Sequence, residues 1–135
     1  MRIKLLILFG MVFLHILDDF VLQQAWLANG KQKSWWNNNT PSDEIPKIYK
    51  NDYKMALFIH SLSWTISIMI LPLLYFPIER DSALSLFMIC FFLNMGIHYM
   101  VDDLKANKKY INLVFDQCIH LFQVFTAWVI FCFVW

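Results

Sequence analysis

The sequence carries almost no net charge. Eleven Lys and Arg stand against ten Asp and Glu, and charged residues make up only 16% of the 135. No overall field is available to draw in nucleic acid or another polyanion, so nucleic acid is not expected as a partner. Cysteine is also sparse. Cys90, Cys118 and Cys132 all fall in apolar runs, without a CxxC pair or the even-numbered framework of a secreted disulfide domain. They read as buried, reduced thiols acting as small hydrophobes. The chain lacks an internal repeat of useful length, and it lacks the apolar–polar alternation that a closed barrel would need. A cleavable leader is not expected either. Met1-Arg2-Ile3-Lys4 runs into the apolar stretch Leu5 to Leu14, but Asp18 and Asp19 follow at once. Cleavage after Ala28 would put Trp26 at the minus-three position, so the first segment is expected to stay as a membrane helix.

Apolar residues, in contrast, are 59% of the chain and aromatic ones 18%. A soluble domain of this size cannot bury that much apolar surface. Four stretches stand out, Ile3–Leu27, Lys54–Ile78, Ser82–Leu104 and Tyr110–Trp135. Each reaches the roughly 20 residues that cross a hydrocarbon core. The expected fold is all-α: a polytopic membrane protein, one domain over 1–135, built as a four-transmembrane-helix up-down bundle. The first stretch is the weakest, because its uninterrupted part ends at Leu17 and it must tolerate Asp18 and Asp19.

Residues 28–53 form a long polar loop holding Gly30, Ser34, Asn37 to Asn39, Pro41 and Pro46. Within it Thr40-Pro41-Ser42-Asp43 has the pattern of a helix start, kept short by Pro46. Trp35 and Trp36 suit the headgroup region. Asn38-Asn39-Thr40 matches a glycosylation sequon, a weak signal on this loop. The other two links, 79–81 and 105–109, are tight. Arg2, Lys4 and Arg80 lie on one side. Lys31, Lys33, Lys47, Lys50, Lys54, Lys105, Lys108 and Lys109 lie on the other. The positive-inside rule then puts loops 28–53 and 105–109 in the cytoplasm and both termini outside, as expected for a multi-pass membrane protein.

All four histidines fall inside the apolar stretches, one in each: His15, His60, His98 and His120. His15 and Asp19, His98 and Asp102, and Asp116 and His120 are each four residues apart, which puts both members on one helix face. Asp18 and Asp103 point about 100° away from Asp19 and Asp102. Gln23 and Gln123 extend the polar stripes. In an up-down bundle all of these sets meet at the end that carries the long loop. An Asp at the centre of a membrane helix costs roughly 2.5–3.5 kcal/mol, less toward the interface. Such residues persist when they pair, bind an ion or line a wet cavity.

Imidazole and carboxylate are the ligands of zinc and of non-haem iron or manganese, and helical bundles hold these metals with side chains from facing helices. The expected metal ligands are His15, Asp19, His60, His98, Asp102, Asp116 and His120. The set exceeds what one tetrahedral zinc needs. It fits two ions with bridging carboxylates, or one ion backed by His–Asp pairs. Zinc or another divalent transition metal would generate a nucleophile from water, with an unliganded Asp or Asp103 as general base. Lys105, seven residues after His98, either faces the site to neutralise a carboxylate or a phosphate or is an ordinary positive-inside lysine. Ser61 and Ser63 beside His60 suit a hydrolase or simple helix packing. The same polar set also admits a purely structural network, and a proton or ion pathway.

At these residues the chain resembles a family of bacterial and phage membrane proteins known as domain of unknown function 3307. The matching stretches are His15-Ile16-Leu17-Asp18-Asp19-Phe20 with Leu22, Gln23 and Trp26; His60 with Ser61; His98-Tyr99-Met100-Val101-Asp102-Asp103 with Lys105; and Asp116, Gln117 and His120. The Asn-rich first loop looks like an insertion. The resemblance implies a four-helix membrane protein, often carried by phage or prophage, and supplies no activity. In residue type the set is similar to membrane-bound metal-dependent hydrolases such as the alkaline ceramidase type. The leading expectation is a metal-dependent hydrolase acting on a lipid or another amphiphile. The alternative is a non-enzymatic membrane protein: a pore, an ion carrier, an inhibitor docked on a host membrane complex, or a subunit of a homo-oligomer or larger assembly.

Overall fold

The computed structural model describes residues 2–39, 49–76 and 81–134, and among these every regular element is helical. Six α-helices are present: α1 (Arg2–Leu17), α2 (Ala25–Gly30), α3 (Lys33–Asn39), α4 (Asp52–Tyr75), α5 (Asp81–Asp103) and α6 (Leu113–Val129). Three of them run on into π-helical turns, α1 through Asp18–Leu22, α5 through Leu104–Lys108 and α6 through Ile130–Val134. Four continuous helical stretches are long and apolar enough to cross a membrane: Arg2–Leu22, Tyr49–Tyr75, Ser82–Lys108 and Leu113–Phe133. At 1.5 Å per residue they extend about 30 to 40 Å, which matches a hydrocarbon core of about 30 Å.

The spans differ from the sequence expectation at several ends; the second runs Tyr49–Tyr75, with extended backbone at Phe76, where 54–78 was expected. The first stops at Leu22, because Gln23 turns to an extended conformation and its N–H closes on the Asp18 carbonyl at 3.0 Å. Trp26 and Leu27 therefore belong to α2. The third span runs past Leu104 to Lys108 and ends where Lys109 takes a left-handed φ of 54°. The fourth starts at Leu113, where the Asn112 side chain accepts from the Phe115 N–H at 2.9 Å and caps the helix. The third link is accordingly 109–112.

The first loop is also more ordered than its composition suggests. α2 and α3 lie in it, and a 3₁₀ turn, Tyr49–Asn51, leads into α4. Trp36 stacks on Tyr49, with centroids 5.8 Å apart, and donates to the Gly30 carbonyl at 2.8 Å. The expected helix start at Thr40 to Asp43, Pro46, the Thr40 of the sequon, and Glu79 and Arg80 of the second link lie outside the described residues.

Each spanning helix packs on the next, α1 on α4, α4 on α5 and α5 on α6, and α6 closes on α1. This is the up-down ring expected from short links between antiparallel helices. The outer faces expose Leu6, Phe9 and Phe13 on α1, Phe92 and Leu93 on α5, and Val114 and Phe122 on α6. An apolar coat on this scale fits a bundle surrounded by lipid.

The interior has two halves. Ile7, Met11, Ile68, Val124, Ala127 and Phe131 belong to an apolar core toward the end that holds both termini. There the Trp128 indole donates to the Lys4 carbonyl at 2.6 Å, and the Lys4 ammonium contacts the Cys132 carbonyl. Cys90 and Cys132 are buried, whereas Cys118 is exposed on α6, so only two of the three thiols are buried as expected. The other half of the interior is polar.

Candidate metal centre

All four spanning stretches contribute to the polar half. His15 comes from α1 and Asp19 from the π turn that follows it; His60 comes from α4; His98 and Asp102 come from α5; Asp116 and His120 come from α6. None of His15, His60, His98, Asp102, Asp116 and His120 exceeds 2% exposure, and the Asp19 side chain is 7% exposed. The one-turn spacing put each His–Asp pair on a single face, and helix packing turned the four faces inward.

The distances inside the cluster are short. His60 Nε2 lies 3.2 Å from Asp19 Oδ1 and 3.4 Å from Asp102 Oδ2. His120 Nε2 lies 3.5 Å from Asp102 Oδ1 and 3.4 Å from Asp116 Oδ1. The His98 and His120 rings stack with centroids 4.0 Å apart, and His60 is 5.0 Å from His98. Two ligands each 2.0–2.2 Å from a tetrahedral zinc stand about 3.3–3.6 Å from one another. The separations above fall at or close to that interval.

Several of these atoms have no hydrogen bond. Asp19 Oδ1, Asp116 Oδ1, His120 Nε2 and both ring nitrogens of His98 are buried without a partner. Leaving a buried polar atom unpaired costs about 1–3 kcal/mol, and native interiors rarely contain several together. Here they converge from three helices. Two groups can place one ligand atom each within 4.8 Å of one another: Asp19, His60 and His98, and His98, Asp102 and His120. The buried His/Asp groups could therefore hold a metal ion. His98 is common to both.

Of the seven expected ligands, five fall in these groups and two stand beside them. His15 Nδ1 accepts from the Trp64 indole N–H at 2.7 Å, so that lone pair is committed. Asp116 Oδ2 is held by Lys105 Nζ at 2.5 Å and by the Gln117 amide at 3.1 Å. Of the two readings of Lys105, the geometry has it facing the cluster, since it also lies 3.7 Å from Asp102 Oδ1. Asp103 does not enter the cluster. It accepts from the Asn107 amide at 2.9 Å and lies 3.6 Å from Lys108, because the 100° step after Asp102 turns it outward. Asp103 is thereby corrected as a candidate general base. Ser61 donates to the Phe58 carbonyl of its own helix, the packing role. Ser63 instead donates to Asp18 Oδ1 at 2.7 Å, with Ser67 at 3.2 Å from the same atom.

Comparison with family models, with curated proteins and with solved structures finds no match to this chain. The residues alone carry the reading.

Three members of the site were not among the site residues expected from the sequence. Asp18 is 3% exposed and lies 3.8 Å from His60 Nδ1. Trp64 is wholly buried, donates to His15 and stacks on His98 with centroids 4.2 Å apart. Its place four residues after His60 was a usable signal. Lys31 had none: it reads as one loop lysine among several. Yet its Nζ lies 2.6 Å from Asp102 Oδ2, and the pair is buried. The Gln23 amide, oriented with its oxygen toward this lysine, accepts from it at 2.7 Å. In their charged forms four carboxylates (Asp18, Asp19, Asp102 and Asp116) face two ammonium groups (Lys31 and Lys105). With neutral imidazoles two negative charges remain, which one divalent cation would balance. A low-dielectric interior makes that balance energetically important.

Proposed function

We propose that this chain is an integral membrane metal-binding protein whose centre lies near the lysine-bearing end, and that it works as a metal-dependent hydrolase on a lipid or another amphiphile. One observation carries the metal reading: His98 is fully buried with neither ring nitrogen in a hydrogen bond, beside Asp19 Oδ1, Asp116 Oδ1 and His120 Nε2, which also make none although they stand 3.2–3.5 Å from facing His or Asp atoms. Asp19, His60, His98, Asp102 and His120 are the proposed ligands. Imidazole and carboxylate together suit zinc first among divalent transition metals. The set holds either one ion or two neighbouring ions that divide it.

A bound ion of this kind supplies Lewis acidity and lowers the pKa of a water to about 7. Asp116, outside both ligand groups, is the proposed general base in place of Asp103. Lys105 holds it and limits the charge of the cluster. The lysine count supports placing this end at the cytoplasmic face of a bacterial inner membrane, and the quoted His/Asp stretches support membership of the family named above.

A transmembrane ion pathway has less support. Beyond Trp64 polar groups continue for one further turn, where His120 Nδ1 meets Gln123 at 3.1 Å and Gln123 donates to the Asn94 carbonyl at 3.0 Å; past them the described interior is the apolar core of Ile7, Phe87, Ala127 and Phe131. Elemental analysis of protein purified in detergent tests the reading. Wild type should carry stoichiometric metal and His98→Ala should lose it. Metal-free wild type, in buffer supplied with zinc, overturns the proposal.

A further inference from the structure

Two linked cavities lead out of the centre. The inner one, about 150 Å³, is lined by Asp19, Gln23, Lys31, Asp102, Lys105 and Gln117, with Phe20 and Leu113 as apolar walls. The outer one, about 430 Å³, shares Gln23, Lys31 and Lys105 and adds Gln32 and Lys109. No Asp or Glu is among its described lining residues. A neighbouring cavity of about 350 Å³ shares Lys109 and adds Lys33, again with no carboxylate lining it. From the centre outward, the carboxylates are followed by a mouth of lysines.

That order of charge selects what can approach. A concave surface of one sign concentrates the opposite charge and repels its own. The mouth therefore draws in an anion. It also stands at the ends of the spanning helices: Lys31 follows α2, Lys105 lies in the π turn after α5, and Lys109 is in the link to α6. Helix ends lie at headgroup level in a membrane, where phosphate is the commonest anion on an amphiphile.

We propose that this mouth is a phosphate-binding site. Lys31 and Lys105 contact the phosphate oxygens, Gln23 and Gln117 orient it, and Lys109 attracts it from outside. The substrate class of the centre is then a phosphate-bearing amphiphile. This rests on the metal reading above. Without an ion, Lys31 and Lys105 are committed to Asp102 and Asp116, at 2.6 and 2.5 Å. When Asp102 turns to a divalent cation, the Lys31 ammonium becomes available as a charge-assisted donor, while Lys105 stays on Asp116. A lysine presents three donors, so each can keep a carboxylate contact and still reach a phosphate.

The test uses the full chain in a phosphate-free maltoside detergent, loaded with zinc, and measures retention of radiolabelled inorganic phosphate together with zinc content. Wild type should retain phosphate, and the chelator-treated protein should not. Lys105→Gln should weaken retention about tenfold or more, the scale of one charge-assisted hydrogen bond. Lys109→Asn should weaken it several-fold; Asn suits the left-handed backbone at this exposed position, which keeps the test clear of folding defects. Zinc content should be unchanged in both. Phosphatidic acid added to the same micelles distinguishes the source. Displacement of the label by the lipid identifies a headgroup site, and displacement by free phosphate alone identifies a soluble ligand; both support the proposed chemistry. Equal retention in all three proteins means that the metal alone holds phosphate, and overturns the proposal, as does zinc without any retained phosphate. In those cases the metal reading stands. Wild type without zinc overturns both.

Discussion

The Trp64 indole donates to His15 Nδ1 across 2.7 Å, joining α4 to α1 at the floor of the polar half. An acceptor at Nδ1 places the proton of a neutral imidazole on Nε2. The same indole lies against His98, so one side chain orients the rings of two histidines. Trp64→Phe keeps an aromatic ring and removes only the donor. The buried nitrogen left behind should cost about 1–3 kcal/mol. His15 is not itself a proposed ligand, so metal affinity should fall by less than the roughly 10–100-fold that losing a ligand's own hydrogen-bond partner costs. Competition with a chelating dye would measure the affinity, and an unchanged value would show that Trp64 is only packing.

Asp102 and Asp103 are adjacent in sequence and opposite in consequence. Asp102 contacts Lys31 and lies within 4 Å of His60, His98, Lys105 and His120. Asp103 meets Asn107 and Lys108 at the surface of the link. Asp102→Asn is expected to abolish stoichiometric metal binding and Asp103→Asn to leave it intact, both read by elemental analysis. Activity, once a substrate is found, should follow the same division. If Asp103→Asn lost activity while keeping its metal, the general base would have to be reassigned to Asp103.

Much of the architecture was legible because membrane chemistry is strict. A run of about 20 apolar residues has few options in lipid other than a helix, and the four-residue His–Asp spacing has one geometric meaning in a helix. Neither argument depends on tertiary detail. What went unread depends on it entirely. The π turn at Asp18–Leu22 ends the first span early, and the chain then returns through α2 to bring Lys31 beside Asp102 from 71 residues away. No local pattern marks that lysine. The outward turn of Asp103 was readable in principle, since a 100° step from Asp102 was already implied.

Lys31 yields a prediction whose sign depends on the metal. Its ammonium is buried against Asp102, and removing one partner of such a pair costs about 3–5 kcal/mol because the other charge is left unpaired. Lys31→Met, close in length, should lower the unfolding midpoint of the metal-free protein accordingly. A bound divalent cation would then neutralise Asp102 in place of the ammonium. Zinc is therefore expected to raise the midpoint more in Lys31→Met than in wild type, checked by thermal scans in detergent with and without the ion. An equal rise in both proteins would mean that Asp102 is not a ligand.

The division of the interior into polar and apolar halves predicts impermeability. A proton or cation crossing this bundle needs successive polar groups or water. Past Trp64 the polar groups reach one turn further, through Gln123 and Asn94, and beyond that pair the described interior is closed by the buried Ile7, Phe87, Ala127 and Phe131. Water does not occupy a small, dry apolar space that offers it no hydrogen-bonding partner. Proteoliposomes carrying a pH-sensitive dye should hold an imposed proton gradient as long as protein-free vesicles do, with or without zinc. His60→Ala and His98→Ala should change nothing in that assay while removing the metal. If wild type dissipated the gradient and either variant stopped it, the histidines would belong to a conductive path, and the reading of this end as an enclosed metal centre would fail.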